Sequence, residues 1–150
     1  MAETLTSLLV HVVFSTKDRA DLITPEIEPR LFSYFGGIAR KMDSRLIDAG
    51  GTSNHVHLLI SQSKNVALAN LLQELKKSSS QWIKGQGSEF AKFHWQDGYG
   101  GFSIGASQIP QVKSYLAKQK HHHRKITFQE EYLEFLKKYE IRYNEKYLWR

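Results

Sequence analysis

The order of its apolar segments constrains this chain of 150 residues more than any other feature. Segments rich in β-branched and aromatic residues alternate with segments whose apolar residues recur at helical spacing. The pattern predicts, in order, a strand at 6–16, a helix at 25–42, strands at 45–50 and 55–61, a helix at 66–84, a strand at 93–104, and helices at 108–123 and 128–139. The first six elements have the order βαββαβ, which is typical of a ferredoxin-like α+β fold with an antiparallel sheet. We therefore predict a single domain over residues 1–150, with additional helices at its C-terminal end.

Local signals define the ends of these elements. Thr24 and Pro25 are typical of a helix N-cap and first turn, and Asn65 is predicted to cap the helix at 66–84. The glycine-rich residues 85–92 indicate a loop, and Gly100-Gly101 predicts a bend within the last strand. Because many activities occur on this fold, the function has to be sought in particular side chains.

Composition limits the chemistry and the partners of the chain. It has no cysteine, which excludes disulfides, thiolate metal sites and cysteine nucleophiles, and which agrees with a reducing cytoplasm. It has no run of 18 apolar residues, so we expect no membrane span. We interpret the apolar N-terminal run as the first strand of the fold rather than as a signal peptide. The formal net charge of +6 favours a polyanionic partner such as nucleic acid.

The sharpest local pattern is His55-Val56-His57 in the strand predicted at 55–61. Residues i and i+2 of a strand point to the same face of the sheet, so both imidazoles could bind one divalent ion. An isolated pair with this spacing also occurs by chance, and its histidines then make ordinary hydrogen bonds.

A second pattern, Tyr115 with Gln119, lies on the helix predicted at 108–123. Residues four apart share one face of a helix. Gln119 could therefore supply a neutral oxygen ligand to a metal held by His55 and His57, with Tyr115 one turn away as a nucleophile. In the alternative interpretation, Tyr115 is a half-buried aromatic residue of an amphipathic helix.

Both patterns belong to a longer resemblance. The segments that carry it are VHVVFSTKDR at 10–19, NHVHLLIS at 54–61, LLQELKKSSSQWI at 71–83, FHWQDGYGGFSI at 93–104, VKSYLAKQKHHHRK at 112–125 and EEYLEFLKKYEIRYNEKYLWR at 130–150. In this order they resemble the HUH-type single-tyrosine transposases of bacterial and archaeal insertion sequences, where HUH denotes two histidines around one hydrophobic residue. The resemblance extends over nearly the whole chain and includes the two histidines, the tyrosine and the glutamine.

The resemblance implies an enzyme that cleaves and rejoins single-stranded DNA at the ends of its element. It implies His55, His57 and Gln119 as ligands of Mg²⁺ or Mn²⁺, and Tyr115 as the catalytic nucleophile that forms a 5′-phosphotyrosine. It also implies recognition of a DNA hairpin, and a homodimer in which the tyrosine helix completes the active site of the other subunit. Histidine ligands alone would also suit zinc.

Candidate DNA contacts are basic residues close to these segments, where they could neutralise phosphates. They are Lys17, Arg19, Lys76, Lys77, Arg124 and Lys125. Three aromatic residues could either stack on unpaired bases or pack in the core, namely Trp82, Trp95 and Tyr99.

The remaining histidines are not expected to bind the metal. We interpret His121-His122-His123 as a solvated or DNA-facing helix end, because consecutive helical residues point about 100° apart and cannot all face one ion. His11 is expected in the core or along the DNA.

Two alternatives stay open at the level of sequence. A domesticated relative that acts on host repeats would have the same motifs. A non-catalytic module for single-stranded nucleic acid is the second, although such modules carry aromatic residues at the centre of the sheet, where this chain has His55 and His57.

Two further classes are disfavoured. HUH nucleases of replication or plasmid transfer are usually longer chains with other domains. A zinc hydrolase would need a third histidine or a carboxylate ligand, and Asp48 and Asp97 lack a suitable spacing.

Overall fold

The computed structural model describes residues 2–150, and its strands form one four-stranded antiparallel sheet. The strands are β1 (Leu9–Ser15), β2 (Arg45–Thr52), β3 (His55–Ser61) and β4 (Gly100–Ile104). Their order across the sheet is β2-β3-β1-β4, so β1 and β3 are the central strands. One long helix connects β1 to β2 and another connects β3 to β4, which confirms the predicted ferredoxin-like α+β fold.

Helices cover both faces of this sheet. They are α1 (Glu28–Lys41), α2 (Leu68–Lys84), α3 (Ile109–Ala117), α4 (Gln119–His122), α5 (Phe128–Lys138) and α6 (Glu145–Leu148). On one face, α1 and α2 pack against Val56, Leu58 and Ile60 of β3 in the main core. On the other face, Val13 and Phe102 pack against α5 in a second apolar cluster. Since side chains alternate along a strand, His55 and His57 point to the face that α5 covers.

The first two helices begin later than predicted. The first residue of α1 is Glu28, because Thr24 instead begins a separate turn over residues 25–27, in which the Ile27 amide donates to Thr24 Oγ1 at 3.3 Å. The first residue of α2 is Leu68 with Ala67 at the N-cap, so the predicted cap at Asn65 is wrong.

The strand predicted at 93–104 is shorter in the structure. Only Gly100–Ile104 pair along β1, while Trp95 is buried in the main core and meets Thr16 through an isolated bridge. Gly100 and Gly101 lie inside β4 and do not bend it. A Cβ atom at Gly100 would lie 2.8 Å from the ring of Tyr132, so glycine is needed there because α5 packs closely against β4.

The helix predicted at 108–123 is interrupted. A 3₁₀ turn at Ala106–Gln108 leads into α3, and Lys118 (φ −100°, ψ 9°) separates α3 from α4. The helix predicted at 128–139 is confirmed as α5, and Thr127 and Glu130 form a capping box at its start. The short helix α6 was not predicted. Among residues 2–150, no helix combines the length and the apolar character that crossing a bilayer requires.

Candidate functional site

The candidate site lies on the central strands, under the layer of α3, α4 and α5. His55 and His57 are fully buried there, with ring centroids 5.2 Å apart. The spacing of the motif therefore places both imidazoles on one face, as the sequence predicts. Strands at the centre of a sheet are held on both sides, so the two rings are anchored on a rigid part of the fold.

His55 is oriented through its Nδ1 atom. That nitrogen lies 2.8 Å from Oδ1 of Asn54, in the turn between β2 and β3, and 2.9 Å from Oγ1 of Thr52, the last residue of β2. An amide oxygen can only accept, so Nδ1 carries the proton, and the lone pairs of Nε2 and Gln119 Oε1, 3.1 Å apart, both point into the site. Burial, followed by the charge of His57, lowers the pKa of His55 to about 3, so the ring is neutral, as a metal ligand must be.

His57 is oriented by a third buried histidine. His11 Nε2 lies 2.8 Å from His57 Nδ1, and His57 Nε2 lies 2.9 Å from Glu131 Oε1. Burial, followed by the charge of His57, lowers the pKa of His11 to about 3. The prediction that His11 is a core residue rather than a ligand agrees with this position, and the structure adds that His11 fixes the His57 ring.

Glu131 on α5 is the centre of the site, and it is absent from the residues predicted from sequence. Its carboxylate is only 1% exposed and accepts hydrogen bonds from the Tyr115 hydroxyl and, at 3.1 Å, from Gln119 Nε2. His123 Nε2 lies 3.0 Å from its Oε1 atom. Burial alone would raise the pKa of Glu131, but its hydrogen bonds with His123, His57 and Tyr115 hold that pKa well below the ordinary value.

The sequence does contain a signal for Glu131. Positions 128, 131, 132, 135 and 136 follow the i, i+3, i+4, i+7, i+8 spacing of the buried face of a helix. Four of them are aromatic or leucine, and the fifth is Glu131. A carboxylate inside an apolar stripe needs polar partners, so it marks a candidate site residue.

The interpretation of the histidine run was wrong for His123. His121 is exposed and His122 is partly exposed, with its Nε2 atom 3.5 Å from Glu131 Oε2, whereas His123 belongs to the candidate ligand group. Consecutive side chains point about 100° apart only while a helix continues. Because α4 ends at His122, the chain turns at His123 and brings its ring within 4.3 Å of the His55 ring.

Tyr115 lies over the histidines of its own chain. Its ring centroid is 5.7 Å from that of His57 and 6.2 Å from that of His11. Burial, with the Glu131 carboxylate as the second cause, raises the pKa of Tyr115 above its ordinary value. In this environment the hydroxyl is protonated and donates to Glu131.

The side chains around Glu131 can hold a divalent cation. Ligand atoms of His55, His57, His123 and Glu131 all lie within 4.8 Å of one another. Gln119, the predicted third ligand, is buried beside this group with its Oε1 atom 3.1 Å from His55 Nε2. Imidazoles and a carboxylate that converge in a buried pocket are the donor chemistry that Mn²⁺ and zinc share, whereas Mg²⁺ prefers oxygen ligands.

The predicted DNA contacts are divided between several surfaces. Arg124 and Lys125 are exposed and follow His123 directly. Lys17 is exposed at the end of β1, whereas Arg19 Nη1 donates to the Trp149 carbonyl at 3.0 Å. Lys76 and Lys77 lie on α2, across the sheet from the histidines.

Lys76 has a structural role. Its Nζ atom donates to the carbonyl oxygens of Gln96, Asp97 and Gly98, and burial lowers its pKa to about 8. Of the two alternatives for the aromatic residues, the structure agrees with core packing. Trp95 is buried, Trp82 stacks on Tyr34 with ring centroids 5.1 Å apart, and Tyr99 packs against the main core.

Comparison with known proteins agrees with the fold. No curated protein matches the chain by sequence. A candidate transposase from Deinococcus radiodurans R1 shares the fold with a TM-score of 0.62 and 18% identity, over 79% of this chain and 95% of that chain. A REP-associated tyrosine transposase bound to a REP hairpin has a TM-score of 0.58 and 14% identity, over 82% of this chain and 74% of that one. The model of the family described as IS200-like transposases matches residues 4–119, which include both histidines, the tyrosine and the glutamine, and the chain therefore belongs to that family.

Proposed function

We propose that this transposase cleaves and rejoins single-stranded DNA at the ends of its element through a 5′-phosphotyrosine on Tyr115. The observation that carries the proposal is the contact between the Tyr115 hydroxyl and Glu131, inside a buried cluster of three histidines and one carboxylate. A nucleophile and a candidate metal site therefore meet in one chain. Family membership supports the same reaction class.

We propose that a divalent cation is held by His55, His57 and Glu131, with Gln119 or His123 completing the set. Of the two ions that the resemblance implies, Mg²⁺ and Mn²⁺, this nitrogen-rich donor set favours Mn²⁺. The ion would polarise the phosphoryl oxygen and stabilise the departing oxygen. The protein's own contribution is to keep the His55 ring neutral by burial and to fix the directions of His55 and His57 through Asn54 and His11.

The chemical step follows from the position of Tyr115. Its Oη atom attacks the phosphorus, an O–P bond forms, and the bond between phosphorus and the 3′-oxygen breaks. Glu131 Oε2 takes the proton that Tyr115 Oη loses as the O–P bond forms, and the departing 3′-oxygen takes a proton from water. The energy of the phosphodiester remains in the tyrosine link, so a second 3′-hydroxyl can reverse the step and join the strands.

We propose hairpin-forming single-stranded DNA as the substrate, by analogy with the REP hairpin that the structural neighbour binds. Lys17, Arg124 and Lys125 are the exposed cations that we propose as phosphate contacts. A homodimer also remains a proposal. Since Tyr115 already meets its own histidines, a site completed by the other subunit would require α3 to exchange between chains.

A covalent-trapping assay tests the reaction. Labelled single-stranded DNA from the element ends is mixed with protein and Mn²⁺ or Mg²⁺, and adducts are separated on a denaturing gel. We expect an adduct with the wild type that is lost in Tyr115→Phe, in His55→Ala and with EDTA. Matched controls are Tyr143→Phe and His121→Ala, which alter exposed residues outside the cluster and should keep the adduct. Binding of this DNA without any adduct would instead indicate a non-catalytic binding module.

A further inference from the structure

A cavity of about 560 Å³ adjoins the cluster on the side of His123. It lies between the segment before α1, the turn between β2 and β3, and the loop from α4 to α5. A volume of 300–1,000 Å³ is usual for small-ligand sites, so one nucleotide fits. The proposed function uses only Asn54, His123, Arg124 and Lys125 of its lining and assigns no occupant to the cavity.

The cavity is in direct contact with the candidate ligands. Its wall includes Asn54, whose Oδ1 atom lies 2.8 Å from His55 Nδ1, and Phe128, whose ring centroid is 4.9 Å from that of His55. Tyr115 does not line it. The tyrosine instead lines a separate cavity of about 150 Å³ together with His11. The larger cavity therefore lies at the end of the cluster that is away from the nucleophile.

This placement has a stereochemical consequence that rests on the proposed function. In an in-line displacement, the attacking and departing oxygens lie on opposite sides of the phosphorus. With Tyr115 at one end of the cluster, the departing 3′-oxygen and its nucleotide lie toward the other end, where the cavity opens.

The walls of the cavity differ in charge. Arg124 and Lys125 line one side and suit the phosphates of a strand. Asp21 lines another side, where Ser53 Oγ donates to its Oδ1 atom at 2.6 Å. A carboxylate only accepts hydrogen bonds, so it suits the exocyclic amino group of adenine, cytosine or guanine. Thymine has no amino group, and its single ring N3–H lies between two carbonyl oxygens that a carboxylate repels.

We propose that this cavity binds the nucleotide on the 5′ side of the scissile phosphate, with Arg124 and Lys125 on its phosphate and Asp21 selecting a base that carries an exocyclic amino group.

Binding of cleaved product strands tests this inference. Short strands of about eight nucleotides, labelled at the 5′ end and ending in a 3′-hydroxyl, are titrated with the wild-type protein in Mn²⁺ buffer and followed by fluorescence anisotropy. The terminal nucleotide is dA, dC, dG, dT or abasic. We expect strands ending in dA, dC or dG to bind about fivefold more tightly than strands ending in dT, the effect of one added hydrogen bond.

Variants assign the effect to the cavity. Asp21→Ala should reduce the preference to less than about twofold, while Arg124→Ala with Lys125→Ala should weaken all strands alike. The controls Glu89→Ala and Lys41→Ala, at exposed positions that do not line the cavity, should retain the preference. When the varied base is placed at the 5′ end of the strand instead of the 3′ end, the preference between bases should disappear.

Equal affinity for dT-ended and dA-ended strands, or a preference that survives Asp21→Ala, would overturn the inference. The measurement requires no cleavage. A missing covalent adduct would therefore contradict the proposed reaction without affecting the terminal-base preference, so the two failures are distinguishable.

Discussion

At the scale of single residues, Glu131 determines the charge of the candidate site. We predict that Glu131→Gln weakens Mn²⁺ binding at least tenfold, because the amide keeps the size of the side chain but removes its negative charge. The amount of covalent adduct with single-stranded DNA should fall together with the Mn²⁺ affinity. Isothermal titration with Mn²⁺ measures the first effect, and the denaturing gel measures the second.

Glu134→Gln is the matched control for this change. Glu134 lies on the same helix at an exposed position, so its substitution changes the net charge equally without touching the cluster. If both variants bound Mn²⁺ as tightly as the wild type, Glu131 would not be a ligand, and its role would be limited to holding Tyr115.

Site residues were predictable from the sequence only where they share a local spacing along one strand or one helix. His55 with His57, and Tyr115 with Gln119, follow local spacings that any strand or helix imposes, and the structure brings all four together. His123 reaches the site only because the chain turns after α4, and Glu131 only because α5 folds back over the sheet. Such contacts depend on tertiary packing, which spacing along the chain does not contain.

At the scale of elements, the position of α3 depends on Gly50 in β2. A Cβ atom at Gly50 would collide with the carbonyl oxygen of Leu116, which is the residue after Tyr115. We predict that Gly50→Ala displaces the end of α3 and destabilises the protein by about 1–3 kcal/mol, the usual effect of overpacking. Urea unfolding measures the free energy, and the adduct assay should show a loss larger than the unfolded fraction explains, because Tyr115 moves with α3.

Gly37→Ala separates this effect from a general effect of removing glycine. Gly37 lies inside α1, where a Cβ atom would meet only the flexible Arg40 side chain at 3.8 Å. Alanine favours helix by about 1 kcal/mol over glycine, so this variant should be as stable as the wild type or more stable. Equal behaviour of the two variants would mean that the contact between β2 and α3 does not position the tyrosine.

Elements with a strong apolar periodicity were predictable from the sequence, whereas the first residues of α1 and α2 were not. The strand at 55–61 and the helix at 128–139 agree with β3 and α5 within one residue. The interruption at Lys118 was missed, because residues 108–123 are helical by local preference on both sides of it. The break allows Gln119 and His123 to turn into the site, so packing outweighs propensity there.

At the scale of the whole molecule, the order of strands and helices was sufficient to predict the sheet, but not which layer completes the site. The βαββαβ pattern accounts for α1 and α2 on one face. The other face is covered by helices that come after these six elements in the chain, chiefly α5. This layer buries His11, His55, His57 and Glu131. This enclosure makes the stability of the fold depend on the protonation of the site.

We predict that the protein loses stability as the pH falls from 7.5 to 5. The pKa values of His11 and His55 are lowered from 6.5 to about 3, so below pH 6.5 the unfolded chain binds protons that the folded chain excludes. Each histidine then lowers the free energy of unfolding by about 1.4 kcal/mol per pH unit. The charged or titratable groups facing His11 are His57, Tyr115, Glu131 and Lys138, and of these Glu131 opposes the shift.

Urea midpoints at pH 7.5, 6 and 5, measured with EDTA so that metal ions do not compete with protons, test this linkage. His11→Phe should show a shallower decline, because it removes one of the two excluded protons and a phenyl ring suits the surrounding Phe102 and Phe135. His121→Ala should decline like the wild type, since His121 is exposed. A midpoint that stays constant from pH 7.5 to 5 would mean that the buried histidines accept protons without cost. The site would then be open to water, and the burial that keeps the metal ligands neutral would not hold in solution.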